Sequence, residues 1–148
     1  MYKRILMPTD GSACSIAAIR EGLELAKVLG AEVTFLYALE DPSATMYAMP
    51  EVVAYQPQLY EDLKKAGQVI LNDVQRLADE ANVPSTAKLV QHSSPQEAIL
   101  EAEKEADLVI MGTHGRRGFN RFMFGSVAEG VLRRAETPYL LIRNPDKS

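Results

Sequence analysis

The sequence predicts an α/β protein, a doubly wound open sandwich with a five-stranded parallel sheet and four helices. Two observations carry this. Apolar runs of strand length alternate with longer amphipathic segments, and the runs are almost continuously apolar, as strands covered on both faces require. The resulting order, β-α-β-α-β-α-β-α-β, with right-handed crossovers sets helices on both sides of the sheet.

The first run, Ile5-Leu6-Met7, is stopped by Pro8. Residues 13–29 bring Ile16, Ile19, Leu23, Ala26 and Leu29 onto one helical face, and Gly30 supplies the stop. Val33 to Leu39 is the second strand. Residues 58–81 repeat the helical period with Leu59, Leu63, Ala66, Ile70, Val74, Leu77 and Ala81. Lys88 to Val90 is the third strand. The next helix opens with Ser94 as cap, Pro95 in the first helical position and Glu97 to close a capping box. Leu108 to Met111, a helix from near Ser126 carrying Val127, Val131 and Leu132, and the strand Tyr139 to Ile142 complete the set.

Glu40 to Pro57 breaks the rhythm, with Pro42, Pro50 and Pro57 among Met46, Tyr47, Met49, Val52, Val53 and Tyr55. Irregular stretches beyond ~12–15 residues are uncommon inside a compact domain. The apolar content leaves two readings: a lid or partner-contacting loop, and a surface loop packed back onto the domain.

Composition narrows the class. The 148 residues read as one domain, 1–148, large enough to bury roughly 68–70% of the unfolded surface without staples. The net charge of −4 argues against a general nucleic-acid binder. No apolar run approaches the ~20 residues of a membrane span, and Met1-Tyr2-Lys3-Arg4-Ile5 offers no signal-peptide core. A single cysteine, Cys14, excludes an internal disulfide framework. A cytoplasmic protein without membrane insertion is the expectation.

In open α/β sheets ligands bind beyond the carboxyl ends of the strands, where the winding reverses. Two loops there are unusual. The one after the fourth strand, Gly112 to Ser126, holds four glycines and three arginines (Arg116, Arg117, Arg121) and no acidic residue. Glycines let backbone amides turn toward a ligand, and the loop runs into a helix whose free N–H groups favour an anion. A polyphosphate cradle is one reading. The other makes Gly115 and Gly118 mere turn residues, and gives the Ser126 hydroxyl to a capping box with Glu129. The loop after the first strand offers Asp10, suited to accepting ribose hydroxyls or, with Ser12, to capping the first helix. A ligand touching both loops requires the first and fourth strands to be neighbours, hence the strand order 3-2-1-4-5.

Other chemistries lack their spacing. There is no G-x-x-x-x-G-K-[ST] or G-x-S-x-G, and the glycines after the fourth strand read G-x-x-G-x-x-G. His92 and His114 have no carboxylate or cysteine at metal-ligand spacing. His114 lacks an obvious orienting partner, so it reads as lining the loop or contacting phosphate. Cys14 reads as a small buried apolar residue, with oxidant sensing near a helix N-terminus as the other possibility.

Gly112-x-x-Gly115, nine residues, then Gly125-Ser126 resembles the glycine signature of the ATP-binding branch of the universal stress protein family. Ile5 to Ser12 is similar to that family's first strand and acidic loop, and Thr137-Pro138-Tyr139-Leu140-Leu141-Ile142 to its last strand. The resemblance spans essentially the whole chain. It implies an ATP-binding, homodimeric cytoplasmic module of the stress response. Asp10 would hold the ribose, with Pro8 and Thr9 beside the nucleoside. Ala38 would stand where the family usually has Val against adenine, and Met111 and Gly112 would flank base and ribose. His114, Gly115, Gly125, Ser126 and Val127 would surround the phosphates. Dimers would pair their final strands, which protects an otherwise bare apolar edge. Mg2+ is a candidate companion of the nucleotide, and a regulatory protein a candidate partner. Without an evident base to position water, binding is preferred over a slow ATPase or phosphotransferase, and over a scaffold with a vestigial pocket.

Overall fold

The computed structural model describes residues 1–40, 56–92, 94–114 and 125–143. Strands β1 (Arg4–Pro8), β2 (Glu32–Glu40), β3 (Ser85–His92), β4 (Leu108–Gly112) and β5 (Tyr139–Ile142) form one sheet in the order β3-β2-β1-β4-β5. Every pairing is parallel. Helices α1 (Ala13–Leu29), α2 (Gln56–Glu80), α3 (Pro95–Ala102) and α4 (Ser126–Arg134) connect them, with a 3-10 turn at Glu103–Glu105.

The period of two in β1 builds both layers of the core. Ile5 and Met7 face α1 and α2, joining Ile19, Leu23, Phe35, Leu71 and Val74. Leu6 faces the other way, joining Leu36, Ile99, Val109, Ala128 and Val131 under α3 and α4. Gly22 lets α1 settle on β1, since a Cβ there would lie 2.7 Å from Met7 Cε. Gly30 ends α1 at φ +63, the left-handed conformation expected of a glycine stop. At α3 the Ser94 hydroxyl accepts the Glu97 N–H at 3.2 Å, and the Glu97 carboxylate pairs with Arg134.

Two expectations change. β3 begins at Ser85, three residues before Lys88, because an edge strand is only half covered and its polar residues alternate with its apolar ones. On α2 the buried residues are Gly67, Leu71, Val74 and Ala78, whereas Leu59 and Leu63 are exposed and Ala66 with them. The second half of α2 packs closely on the sheet, whereas the first half reaches it through the Tyr60 hydroxyl, which donates to Gln91 Oε1 on β3 at 3.0 Å. Close packing begins at Gly67, where a Cβ would come within 2.7 Å of the Tyr37 ring.

A buried carboxylate organises the approach to β5. Glu103 is 3% exposed. It accepts the Glu136 N–H at 2.7 Å and the Tyr139 hydroxyl, and its carbonyl accepts the Thr137 hydroxyl at 3.2 Å. Burial, then the hydrogen bond to Glu103 and that residue's charge, pushes the Tyr139 phenol well above its ordinary range. Tyr139→Phe leaves a buried carboxylate oxygen without its donor, and should destabilise the fold by about 1–3 kcal/mol in urea titration. Because the folded phenol is raised, stability is full below the unfolded tyrosine value of about 10 and falls as pH climbs above it. Tyr139→Phe should flatten that alkaline decline.

Candidate functional site

The peptide groups of β1 face its two neighbours alternately. Glu32 N–H donates to Lys3 O at 2.9 Å on the β2 side, and Asp107 N–H to Arg4 O at 2.8 Å on the β4 side. Counting on, Thr9 falls on the β2 side, where its N–H meets Leu36 O at 2.9 Å. Pro8 falls on the β4 side, and proline has no N–H to give. The β1–β4 register accordingly stops at Leu6↔Val109, while β1 stays paired with β2 through Pro8↔Leu36 and β4 with β5 through Gly112↔Ile142. At the opposite end the Asp107 carboxylate holds β1 to β4, accepting the N–H groups of Lys3 (3.0 Å) and Arg4 (2.9 Å). Those two bonds, with the Arg4 guanidinium, hold its carboxyl below the usual carboxylate range. The central pair of strands is thus tied at its amino end and parted at its carboxyl end.

The Asp10 loop lies at the parted end. Gly11 takes φ +80, a conformation costly to side chains, and turns the chain into α1. Ser12 caps the helix by accepting the Ser15 N–H at 3.2 Å. Of the two candidate caps, Ser12 therefore does the capping. Asp10 Oδ1 instead accepts the Ser12 N–H at 2.9 Å, which orients its carboxylate. Thr9 Oγ1 accepts both the Gly11 N–H (3.1 Å) and the Ser15 hydroxyl (2.5 Å).

On the neighbouring strand, Gly112 ends β4 beneath the first turn of α1. A Cβ at Gly112 would meet Cys14 Sγ at 2.8 Å and the Cys14 carbonyl oxygen at 3.2 Å, so this glycine sets how closely α1 approaches β4. Cys14 is buried there, as its apolar reading expects. Thr113 is also buried; its N–H reaches Ile142 O at 3.1 Å and its carbonyl accepts the Gly125 N–H at 2.7 Å. The two ends of the glycine-rich loop are thereby pinned together. His114 Nδ1 lies 3.0 Å from Thr113 Oγ1, so the histidine has an orienting neighbour that sequence reading did not supply.

The Ser126–Glu129 capping box is not formed. Gly125 is the cap, with no side chain to offer, and Ser126 is the first helical residue with an exposed side chain. Glu129 pairs with Arg133 at 2.9 Å, one turn along the same helix. Nothing from a Gly125 side chain occupies the first-turn amides of α4, which have no acceptor within the helix. Gln96 holds this turn from α3, donating to Ser126 O at 3.1 Å, and Gly130 makes room for it. No local pattern signals that contact, because it joins separate helices.

Of the expected site residues, Pro8, Thr9, Asp10, Met111, Gly112, His114, Gly125 and Ser126 gather at the carboxyl ends of β1 and β4 or the start of α4. Ala38, Met111 and Val127 share the apolar layer beneath α3 and α4. Gly115, Arg116, Arg117, Gly118, Arg121 and residues 41–55 of the proline-rich segment lie outside the described residues.

The comparisons with known proteins agree with this frame. A universal stress protein of Methanocaldococcus jannaschii is 34% identical over 148 residues, covering 99% of this chain and 85% of the relative. The universal stress protein UspA from Lactobacillus plantarum has the same fold, with TM-score 0.83 and 23% identity over 96% of this chain and 98% of that one. A universal stress protein solved in complex with cAMP gives TM-score 0.67 and 24% identity over 96% of this chain and 97% of that one. Residues 1–143 match the family profile itself, and the chain belongs to the universal stress protein family.

Proposed function

We propose that the chain binds ATP between the loops after β1 and β4 and acts as a nucleotide-dependent regulatory module in stress responses. The observation that carries this reading is the parting of β1 from β4 beyond Leu6↔Val109, with an acidic loop on one side and the start of α4 on the other. Asp10 would accept the ribose hydroxyls beside Pro8 and Thr9. Ala38, Met111 and Gly112 would line base and sugar, and His114, Gly115, Gly125, Ser126 and Val127 the phosphates. The relative solved with cAMP supports the adenine-nucleotide class, since cAMP joins adenine, ribose and phosphate in one ligand. A triphosphate suits the α4 amides together with the charge of Arg116, Arg117 and Arg121.

Among the described residues no three His, Cys, Asp or Glu side chains are grouped as a metal site. A Mg2+ accompanying the nucleotide would take phosphate oxygens and water among its ligands. Hydrolysis needs a group to position the attacking water. Asp10 holds the Ser12 amide and Glu129 the Arg133 guanidinium, which supports binding without efficient turnover over a slow ATPase or phosphotransferase. A partner protein would then read nucleotide occupancy.

Self-association through β5 belongs to the same reading. Among the described residues that strand has only β4 beside it, and Leu140 on it is 38% exposed. Among the described residues no helix is long and apolar enough to cross a membrane, and the cytoplasm is the proposed location.

Asp10→Ala should weaken ATP and ADP by one common factor, about tenfold, because both carry the ribose; calorimetry showing loss of ATP alone overturns the ribose assignment. Gly125→Asp sets a carboxylate over the α4 amides, and should lower ATP affinity by about tenfold or more while adenosine binding holds. Equal ATP affinity would remove the phosphates from that helix. Leu140→Glu should shift the protein toward monomer in sedimentation velocity, and an unchanged dimer would place the interface elsewhere.

A further inference from the structure

Ser15 lies outside the acidic loop, in the first turn of α1, yet its two polar groups hold that loop from both sides. Its hydroxyl donates to Thr9 Oγ1 at 2.5 Å, and Thr9 Oγ1 also accepts the Gly11 N–H at 3.1 Å. Its own N–H donates to Ser12 Oγ at 3.2 Å. Ser12 N–H in turn donates to Asp10 Oδ1 at 2.9 Å. Ser15 and Thr9 are each 7% exposed, so water does not compete freely for the hydroxyl pair.

The arrangement departs from an ordinary capping box. There, the side chain three residues into the helix reaches back to the N–H of the cap. Here Asp10 takes the Ser12 N–H, and the residue in the third helical position, Ser15, reaches further back to Thr9. A hydroxyl has two acceptor sites. With both on Thr9 engaged, the threonine is held in one rotamer, and the Gly11 amide is held against it at φ +80. Both ends of the Asp10 turn are then fixed relative to α1.

We propose that Ser15 is a positioning residue for the nucleotide site, its buried hydroxyl locking the Thr9–Gly11 turn so that Asp10 meets the ribose already oriented. This rests on the ribose reading of Asp10. Ser15 touches no ligand; it acts through Thr9 and Asp10, and removing it makes binding order a loop that the folded protein now holds ready.

The test is a double-mutant cycle on the full chain, with ATP and adenosine titrated by calorimetry and circular dichroism confirming the fold. Ser15→Ala should weaken both ligands equally, by about threefold to tenfold. In the Asp10→Ala background the same substitution should change affinity by less than about twofold, since its effect runs through Asp10. Equal losses in both backgrounds would make Ser15 a general support of the fold and overturn the proposal. So would an unchanged affinity for Ser15→Ala beside a weakened Asp10→Ala. If Asp10→Ala binds like the parent protein, the ribose reading itself fails, and the positioning role with it. Ser15→Cys, which keeps the volume and weakens the donor, repeats the measurement should the alanine variant not fold, with the same losses expected and the same outcomes decisive.

Discussion

One missing hydrogen atom shapes the centre of this molecule. A parallel ladder continues only while each strand can offer an N–H on the correct side, and Pro8 interrupts it on the side facing β4. Had the interruption fallen one residue either way, it would have faced β2 and cut the wrong pair. Because β2 lies on one side of β1 and β4 on the other, the gap coincides with the reversal of winding. In open α/β sheets that is the position where ligands bind, beyond the carboxyl ends of the strands. The carboxylate of Asp107 closes the same pair of strands at the far end, so the opening is local and the sheet remains intact.

Much of this was legible in the residues. Among the described residues the five strands, four helices and their order follow from apolar period, and the placement of β1 beside β4 from two loops with complementary chemistry. Gly30 and Ser94 behave as local chemistry dictates, because a cap answers to its immediate neighbours. The failures share a cause. The buried face of α2 is decided by where Tyr37 stands, and a helical wheel drawn through Leu59 and Leu63 contains nothing about a strand far away in sequence. The Ser126–Glu129 pattern looked like a box, but Gly125 took the cap and Arg133 the carboxylate. Thr113, Ser15 and Gln96 carry no local signal because their partners are set by the fold or by turn geometry that no spacing rule describes.

The two sheet ends that matter are stabilised by different means. The β5 side relies on Glu103, a buried carboxylate whose oxygens meet an amide and a phenol. The crevice side relies on short hydroxyl-to-backbone links within Thr9 to Ser15. A buried charge with good partners is rigid and unforgiving, since removing one partner leaves the other desolvated. Neutral hydroxyl links are individually weaker but hold the turn that carries the Asp10 carboxylate in shape.

The bond between Thr113 and Gly125 joins the end of β4 to the start of α4, a fixed pair of stems for the chain between them. Closing a longer excursion over a fixed pair of stems adds only about 0.6 kcal/mol for each doubling of its length. Insertions and deletions between the stems therefore meet little thermodynamic resistance. The length of chain between the stems can change while the strand end and the helix start that this bond joins keep their geometry.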